Sequence, residues 1–250
     1  MSIARRISLP GVHWSIDQRS TPRSTWNWPT TCVGRQTPIS RAACRRHALM
    51  LRPLPGVRAP DELVQVYRTS PGDEQFNSSS VPHFRDVRKR STSVFSGAAA
   101  WGFVTLSVSA SDLPVRVFGN MVSADYFTVL GVTPALGRGF VPAEDEGRGA
   151  DPVAVLSDAG WRSLFAADPR VVGRTLLVNG LQVQVIGVTA PEFRGALPLA
   201  RPALYMPLMQ LAQLRPGSES DFENRGNNYL NVSAGRRASS LLVMASGIRA

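Results

Sequence analysis

The chain has 250 residues, a net charge of +10 and a hydrophobic fraction of 43%, which is long enough for one large or two small domains with a buried core. The charge is uneven, because residues 1–60 carry ten arginines and one acidic residue, whereas residues 61–250 carry 18 basic and 17 acidic residues. The part of the chain that shows fold signals is therefore almost neutral, which argues against a nucleic-acid-binding core.

Residues 1–47 have no sustained apolar period and include both cysteines, Cys32 and Cys44. They contain neither the apolar core of a signal peptide nor a stretch that could span a membrane. We expect a basic segment that is disordered or arises from a shifted reading frame. Nucleic-acid binding by this arginine-rich head is an alternative that would depend steeply on salt and would disappear on deletion of residues 1–47.

The next elements are a strand at residues 61–68 and a helix that Pro82 opens and that reaches Arg90. Residues 91–111 then carry no charge and follow a basic cluster, a pattern that a membrane span would also give. Their many hydroxyl side chains argue against that assignment. We predict a helix that ends near residues 98–101, a strand at 103–108 and a further strand that contains Val115 and Val117.

A short helix is predicted after Ser123, which is placed to cap it. Its apolar residues are Tyr126, Phe127 and Leu130. Gly131 follows where a left-handed residue commonly ends a helix. Residues 137–152 are rich in turn formers.

A buried strand at residues 153–156 and a second helix come next. Ser157 can cap this helix, and Trp161, Leu164 and Phe165 recur at the spacing of one helical face. We expect that face to pack on the preceding strand.

The strongest local signal is Asn179-Gly180 between two β-rich runs, residues 175–178 and 181–188. A type I′ turn needs positive φ at both central residues, which this dipeptide favours. A hairpin is predicted here, with Leu181, Val183 and Val185 on its buried face. Farther on, residues 203–208 are predicted as a strand that leads into a helix at 209–214, and residues 229–232 as a final strand.

Several phrases together resemble one known family. They are "VSADYFTVLGVTPALGRGF", "DPVAVLSDAGWRSLF", "DPRVVGRTLLVNGLQVQVIGV" and "APEFRG", with "LMLRPLPGVRAPDELVQVY" upstream and "YMPL" and "NYLNV" downstream. This text is similar to the MacB-like periplasmic core domain of ABC transporter permeases, of the FtsX/MacB type abundant in acidobacteria. The resemblance divides the chain into a basic segment at 1–47, a core domain at 48–232 and an irregular tail at 233–250.

The resemblance implies an α+β fold of mixed, short-stranded sheets with two or three helices and two subdomains. It also implies a non-catalytic periplasmic module of the inner membrane, which couples transmembrane motion to the handling of a substrate or an adaptor. The implied partners are an ABC ATPase subunit, membrane-embedded permease segments and a periplasmic adaptor, with no nucleic acid.

An alternative is an orphan fragment of such a permease, which acts only as a soluble binding module or has no function. We expect the chain to be a piece of a longer permease, because the family-like text starts abruptly near Leu49 and fades after Val232. An apolar segment of about 20 residues should then be encoded in another frame just upstream.

Motifs for catalysis are absent from the sequence. No Walker A loop is present, which excludes ATP hydrolysis by a P-loop, and neither a Gly-x-Ser-x-Gly elbow nor a His-Glu-x-x-His motif occurs. His83 has no carboxylate or cysteine at ligand spacing, and the acidic run from Glu144 to Asp151 does not match a calcium loop. We therefore predict no catalytic, cofactor-binding or metal-binding residues, and no cofactor.

Overall fold

The computed structural model describes residues 54–68, 77–110, 113–145, 151–197, 200–215 and 217–237, together with the backbone of residues 4–9 and 12–17. The strands are β1 Ala4–Leu9, β2 Val12–Asp17, β3 Leu63–Arg68, β4 Phe95–Ser109, β5 Val115–Val122, β6 Pro134–Gly137, β7 Val153–Leu156, β8 Thr175–Val178, β9 Leu181–Thr189, β10 Leu204–Pro207 and β11 Asn231–Arg236. The α-helices are α1 Val81–Arg90, α2 Tyr126–Leu130, α3 Asp158–Phe165 and α4 Leu211–Leu214. Four short 3-10 turns are Pro60–Glu62, Pro142–Glu144, Leu208–Gln210 and Glu219–Phe222.

All eleven strands belong to one mixed sheet, in the order β1-β2-β3-β11-β4-β5-β10-β7-β9-β6, and β8 pairs with β4 and β9. The β5–β10 and β7–β9 pairs are parallel. The α+β class is therefore confirmed, with four α-helices among the described residues instead of two or three. Because these strands form a single sheet, the division into two subdomains stays a prediction.

The central strands separate two hydrophobic cores, one on each face of the sheet. In β4, Ala98 and Ala100 belong to the larger core, whereas Ala99 and Trp101 belong to the second core. Burial on both faces produces a continuous apolar run instead of an alternating one. This is why the prediction of a helix that reaches residues 98–101 is wrong, since α1 ends at Arg90 and β4 already begins at Phe95.

Two strands lie within residues 1–47, where the sequence analysis expects no fold. β1 pairs antiparallel with β2, in a register that places Leu9 opposite Val12, and β2 pairs with β3. The expectation of no fold does not hold for residues 4–9 and 12–17, and the shifted reading frame stays a prediction. The apolar alternation is only a few residues long in each strand, and the surrounding basic composition obscures it. The rest of residues 1–53 and the tail at 238–250 lie outside the described residues.

The helix-end predictions are confirmed in two cases and wrong in one. Gly131 ends α2 in the left-handed conformation, with φ +66°. The Ser157 hydroxyl caps α3 by accepting from the Gly160 N–H at 3.0 Å. Ser123 does not cap α2 with its side chain, because its Oγ accepts from the Ala100 N–H on β4. Asp125 is the residue that precedes α2.

The Asn179-Gly180 hairpin is confirmed. Both residues have positive φ, +50° and +85°, and Val178 lies opposite Leu181. Val183 and Val185 are buried, Leu181 is partly buried, and the alternating Gln182 and Gln184 are exposed. The local turn chemistry is therefore enough to set the register of β8 and β9.

The apolar face of α3 is buried less completely than the sequence predicts. Phe165 is buried in the larger core, whereas Trp161 and Leu164 are only partly buried against it. The Trp161 indole N–H donates to the Asp168 carbonyl at 2.9 Å. The strand predicted at 203–208 is confirmed as β10, and the final strand begins at Asn231 and continues to Arg236.

Candidate interaction surface

On the sheet face that carries the second core, the described elements cover one half and leave the other half bare. Helix α2 packs on β4 and β11 and covers Ala99 and Trp101. Beyond Trp101 the same face is open to solvent. Three large apolar side chains project from it, with exposed fractions of 43%, 64% and 42%: Phe103, Phe118 and Leu177. We call this bare half the distal face and define it by six residues: Phe103, Thr105, Ser107, Arg116, Phe118 and Leu177.

The pairing register places these residues side by side. Phe103 lies opposite Asn120 and Thr105 lies opposite Phe118, so the two phenylalanines are diagonal neighbours. Diagonal pairs lie roughly 7–8 Å apart, within reach of aromatic side chains. The Phe103 ring also packs against the covered Trp101 ring in a T-shaped arrangement, with 5.4 Å between the two ring centroids. An apolar strip therefore extends from the covered core onto the open face.

Arg116 adds a positive charge to this strip. It lies opposite Ser107 and is exposed. It forms no salt bridge with any residue in the described part of the chain. The strand beside it is held by the Ser107 N–H, which donates to the Asn179 side-chain oxygen at 2.9 Å. The two phenylalanines can contact apolar side chains of a partner, and the arginine can pair with a carboxylate.

Strand β3 begins and strand β11 ends near the opposite end of β4. Leu63 of β3 lies opposite Gly235 of β11, which pairs with Gly97. The Arg237 N–H donates to the Val94 carbonyl at 3.4 Å. We call this region the connection end. β4 has fifteen residues, so the distal end of the strand lies up to roughly 45 Å from it.

The polar residues considered in the sequence analysis have structural contacts. The Nδ1 atom of His83 lies 2.7 Å from the Ser80 hydroxyl, at the start of α1. Burial lowers the pKa of His83, and the positive charges of Arg68 and Arg225 lower it further. In the acidic turn, Arg138 forms a 2.7 Å ion pair with Glu144, and the Asp145 carboxylate accepts two backbone N–H groups. Residues 146–150 lie outside the described part.

No cluster of three or more His, Cys, Asp or Glu side chains that could hold a metal occurs within the residues the structure describes. Among these residues, no helix is long and apolar enough to cross a bilayer. The prediction that the chain carries no catalytic, cofactor-binding or metal-binding residue stays a prediction.

The model of the MacB-like periplasmic core domain family matches residues 51–246. The chain belongs to this family. The domain of this family is the periplasmic part of a transporter permease and is not a known catalytic domain.

Solved and curated proteins agree with this assignment. The crystal structure of the periplasmic region of MacB from Actinobacillus actinomycetemcomitans superposes with a TM-score of 0.55, at 14% identity, over 76% of this chain and 82% of that one. The macrolide export ATP-binding/permease protein MacB of Burkholderia thailandensis is 37% identical over 81 residues, which is 32% of this chain. The protein of that name from Escherichia coli K12 is 36% identical over 83 residues, which is 33% of this chain. The matched segment spans 12% of the length of each of these two relatives.

The sequence analysis missed the distal face of this MacB-like domain, although one signal was present. In the predicted strand at 103–108, the even-numbered residues Val104, Leu106 and Val108 are apolar and form the buried side of the strand. Phe103 lies on the other side of the strand, together with the polar residues Thr105 and Ser107. An aromatic residue on the polar side of an alternating strand indicates either a second core or an exposed contact surface.

Proposed function

We propose that this MacB-like domain is the non-catalytic, periplasm-facing module of an inner-membrane ABC transporter permease. Its partners would be an ABC ATPase subunit, membrane-embedded permease segments and a periplasmic adaptor. The module couples movement of the membrane segments to the handling of a substrate or to contact with the adaptor. The observation that supports this proposal best is the opposite placement of the connection end and the distal face along β4.

β4 is suited to transmit movement between these two ends. It pairs with β11 near the connection end, with β5 along most of its length and with β8 near Ser109. Its central residues are buried on both faces of the sheet. A strand held in this way moves with the sheet as one body, so a tilt at the connection end displaces the distal face.

The distal face is the surface we assign to the adaptor. Phe103 and Phe118 supply apolar area, and Arg116 supplies a charge that prefers a carboxylate partner. Symmetric pairing of two copies through this face would place one Arg116 from each copy in the same interface and supply no carboxylate from the distal face to pair with either. A different polypeptide with an acidic, apolar contact surface fits the face better.

A graft tests the proposal in a working transporter. Residues 54–237 would replace the matching periplasmic region of the Escherichia coli relative, and macrolide resistance would be measured in cells that lack the native protein. We expect the graft to restore resistance above a permease with no periplasmic domain. The double substitution Phe103→Ser and Phe118→Ser should remove this gain.

The matched control is Val172→Ser, because Val172 is also an exposed apolar residue, at 41%, and is not part of the distal face. It should leave resistance unchanged. Resistance that is equally high in the double variant would contradict the role of the distal face. A folded graft that reaches the membrane and gives no resistance would contradict the coupling function.

A further inference from the structure

A single partly buried carboxylate joins three separate segments of the chain. Asp145 directly follows the 3-10 turn Pro142–Glu144, and its N–H donates to the Pro142 carbonyl. Its Oδ2 accepts from the Ala124 N–H at 3.1 Å, and its Oδ1 accepts from the Met209 N–H at 3.0 Å. Each oxygen thus holds one backbone amide from a different part of the chain. We call this arrangement the Asp145 clamp.

The two amides belong to segments that pack on different cores, Ala124 on the second core and Met209 on the larger core. Ala124 lies just before α2, whose Tyr126 and Phe127 are buried in the second core. Met209 lies in the 3-10 turn Leu208–Gln210, which follows β10. The Gln210 side chain accepts from the Val153 N–H at 3.3 Å and donates to the Asp151 carbonyl at 3.2 Å. The clamp therefore connects the start of α2 to a turn that also supports β7.

The charged groups around the clamp are few among the described residues. Arg88 of α1 lies 3.8 Å from the Asp125 carboxylate, and both act on Asp145. Arg85, also on α1, approaches the Met209 sulfur but pairs with Glu223 at 3.0 Å. Burial raises the pKa of Asp145 above its ordinary value, and the negative charge of Asp125 acts in the same direction. The two N–H bonds and Arg88 oppose that shift.

The chemistry of the carboxyl group makes this arrangement sensitive to acid. An ionised carboxylate only accepts hydrogen bonds, and here both of its oxygens are used. A protonated carboxyl carries a hydroxyl, which donates and no longer accepts well. Only one of the two amides can then keep a good hydrogen bond, to the remaining carbonyl oxygen, and that bond is no longer charge-assisted.

We propose that protonation of Asp145 is a built-in switch that releases either the Ala124 or the Met209 amide, and so loosens the start of α2 from the turn after β10. This inference does not depend on the proposed function. The Ala124 side of the clamp directly precedes α2, the helix that packs on β4 and β11.

The loosening is local and does not unfold the domain. Because burial raises the pKa of Asp145 in the folded state, the folded state takes up the proton more readily than the unfolded chain does. Acid therefore does not destabilise the fold through this group. Acidification converts a partly desolvated carboxylate that has two amide partners into a neutral carboxyl group that has one amide partner.

Amide hydrogen exchange by NMR on the full chain tests the switch. Protection factors, corrected for the intrinsic pH dependence of exchange, would be measured for the Ala124 and Met209 amides from pH 7 to about pH 4. We expect the protection of one of them to fall at least tenfold. The internal control is the Gly160 amide, which bonds to the hydroxyl of Ser157 and not to a titrating group, and its protection should not change.

Asp145→Asn provides the matched variant, because asparagine has one accepting oxygen and does not titrate. In this variant one of the two backbone amides, Ala124 or Met209, faces the side-chain NH₂ group and loses its acceptor. That amide should show low protection at every pH, with no further fall in acid. Constant protection of both amides in the wild-type chain would overturn the proposal. So would a fall of the same size in the Asp145→Asn variant.

Discussion

The covered and bare halves of one sheet face both carry aromatic side chains, which are buried in the first half and exposed in the second. In the covered half, the rings of Tyr126, Phe127, Phe140, Phe193 and Tyr205 pack with centroid distances of 5.3–6.3 Å. In the bare half, Phe118 remains 64% exposed on the adjoining strand surface. The difference depends on α2 and the segment around Phe193, which cover only the first group. Aromatic residues on this face are therefore part of the core where these described elements cover them. Where the described elements leave them exposed, they are available for contact with a partner.

The largest expected effect is in the covered half. Phe127→Ala should lower the free energy of unfolding by about 3–5 kcal/mol, because it removes a fully packed ring from the centre of the aromatic cluster. Urea denaturation monitored by circular dichroism would measure it. A loss of less than about 1 kcal/mol, below the usual range for such a truncation, would show that the second core does not hold the fold.

The two buried tyrosines give a matched pair of smaller effects. The Tyr126 hydroxyl accepts from the Ala196 N–H at 3.2 Å, whereas the Tyr205 hydroxyl has no hydrogen-bond partner in the described part of the chain. Tyr126→Phe should cost about 1–3 kcal/mol, since it leaves a buried N–H unpaired. Tyr205→Phe should cause no loss, and equal losses in the two variants would contradict this assignment of the hydrogen bond.

The pH dependence of stability sharpens the comparison at Asp145. Because burial raises its pKa in the folded state, this group makes the free energy of unfolding rise as pH falls through the folded pKa. The difference in stability between wild type and Asp145→Asn should therefore shift in favour of wild type on acidification. Urea midpoints for both chains at neutral and acidic pH would measure it, and a shift in the opposite direction would refute it.

The smallest effect on stability belongs to the distal face. Phe118→Ser should change the free energy of unfolding by no more than about 0.5 kcal/mol, as most surface substitutions do. Thermal denaturation beside the Phe127→Ala variant makes the comparison direct. A loss as large as that of Phe127→Ala would mean that Phe118 is part of the core and not of a contact surface.

The elements that could be predicted from sequence are those fixed by local backbone chemistry. Asn179-Gly180 sets its own hairpin, Gly131 ends α2 and Ser157 caps α3, and none of these depends on distant residues. Only the first half of β4 is assigned to a helix from sequence, because burial on both faces removes the alternation that identifies a strand, whereas residues 103–108 alternate and are predicted as a strand. Phe103 on the polar side of an alternating strand indicates the distal face, but its extent could not be predicted, because that depends on where the covering elements stop.

The measurement that tests the central claim most directly is site-specific photocrosslinking from position 118 in the grafted permease, in cells that contain the adaptor. Position 172, which is also exposed but lies outside the distal face, is the control. We predict a crosslink to the adaptor from position 118 and none from position 172. A crosslink from position 172 alone would contradict the assignment of the distal face as the contact surface, and so would equal yields from the two positions.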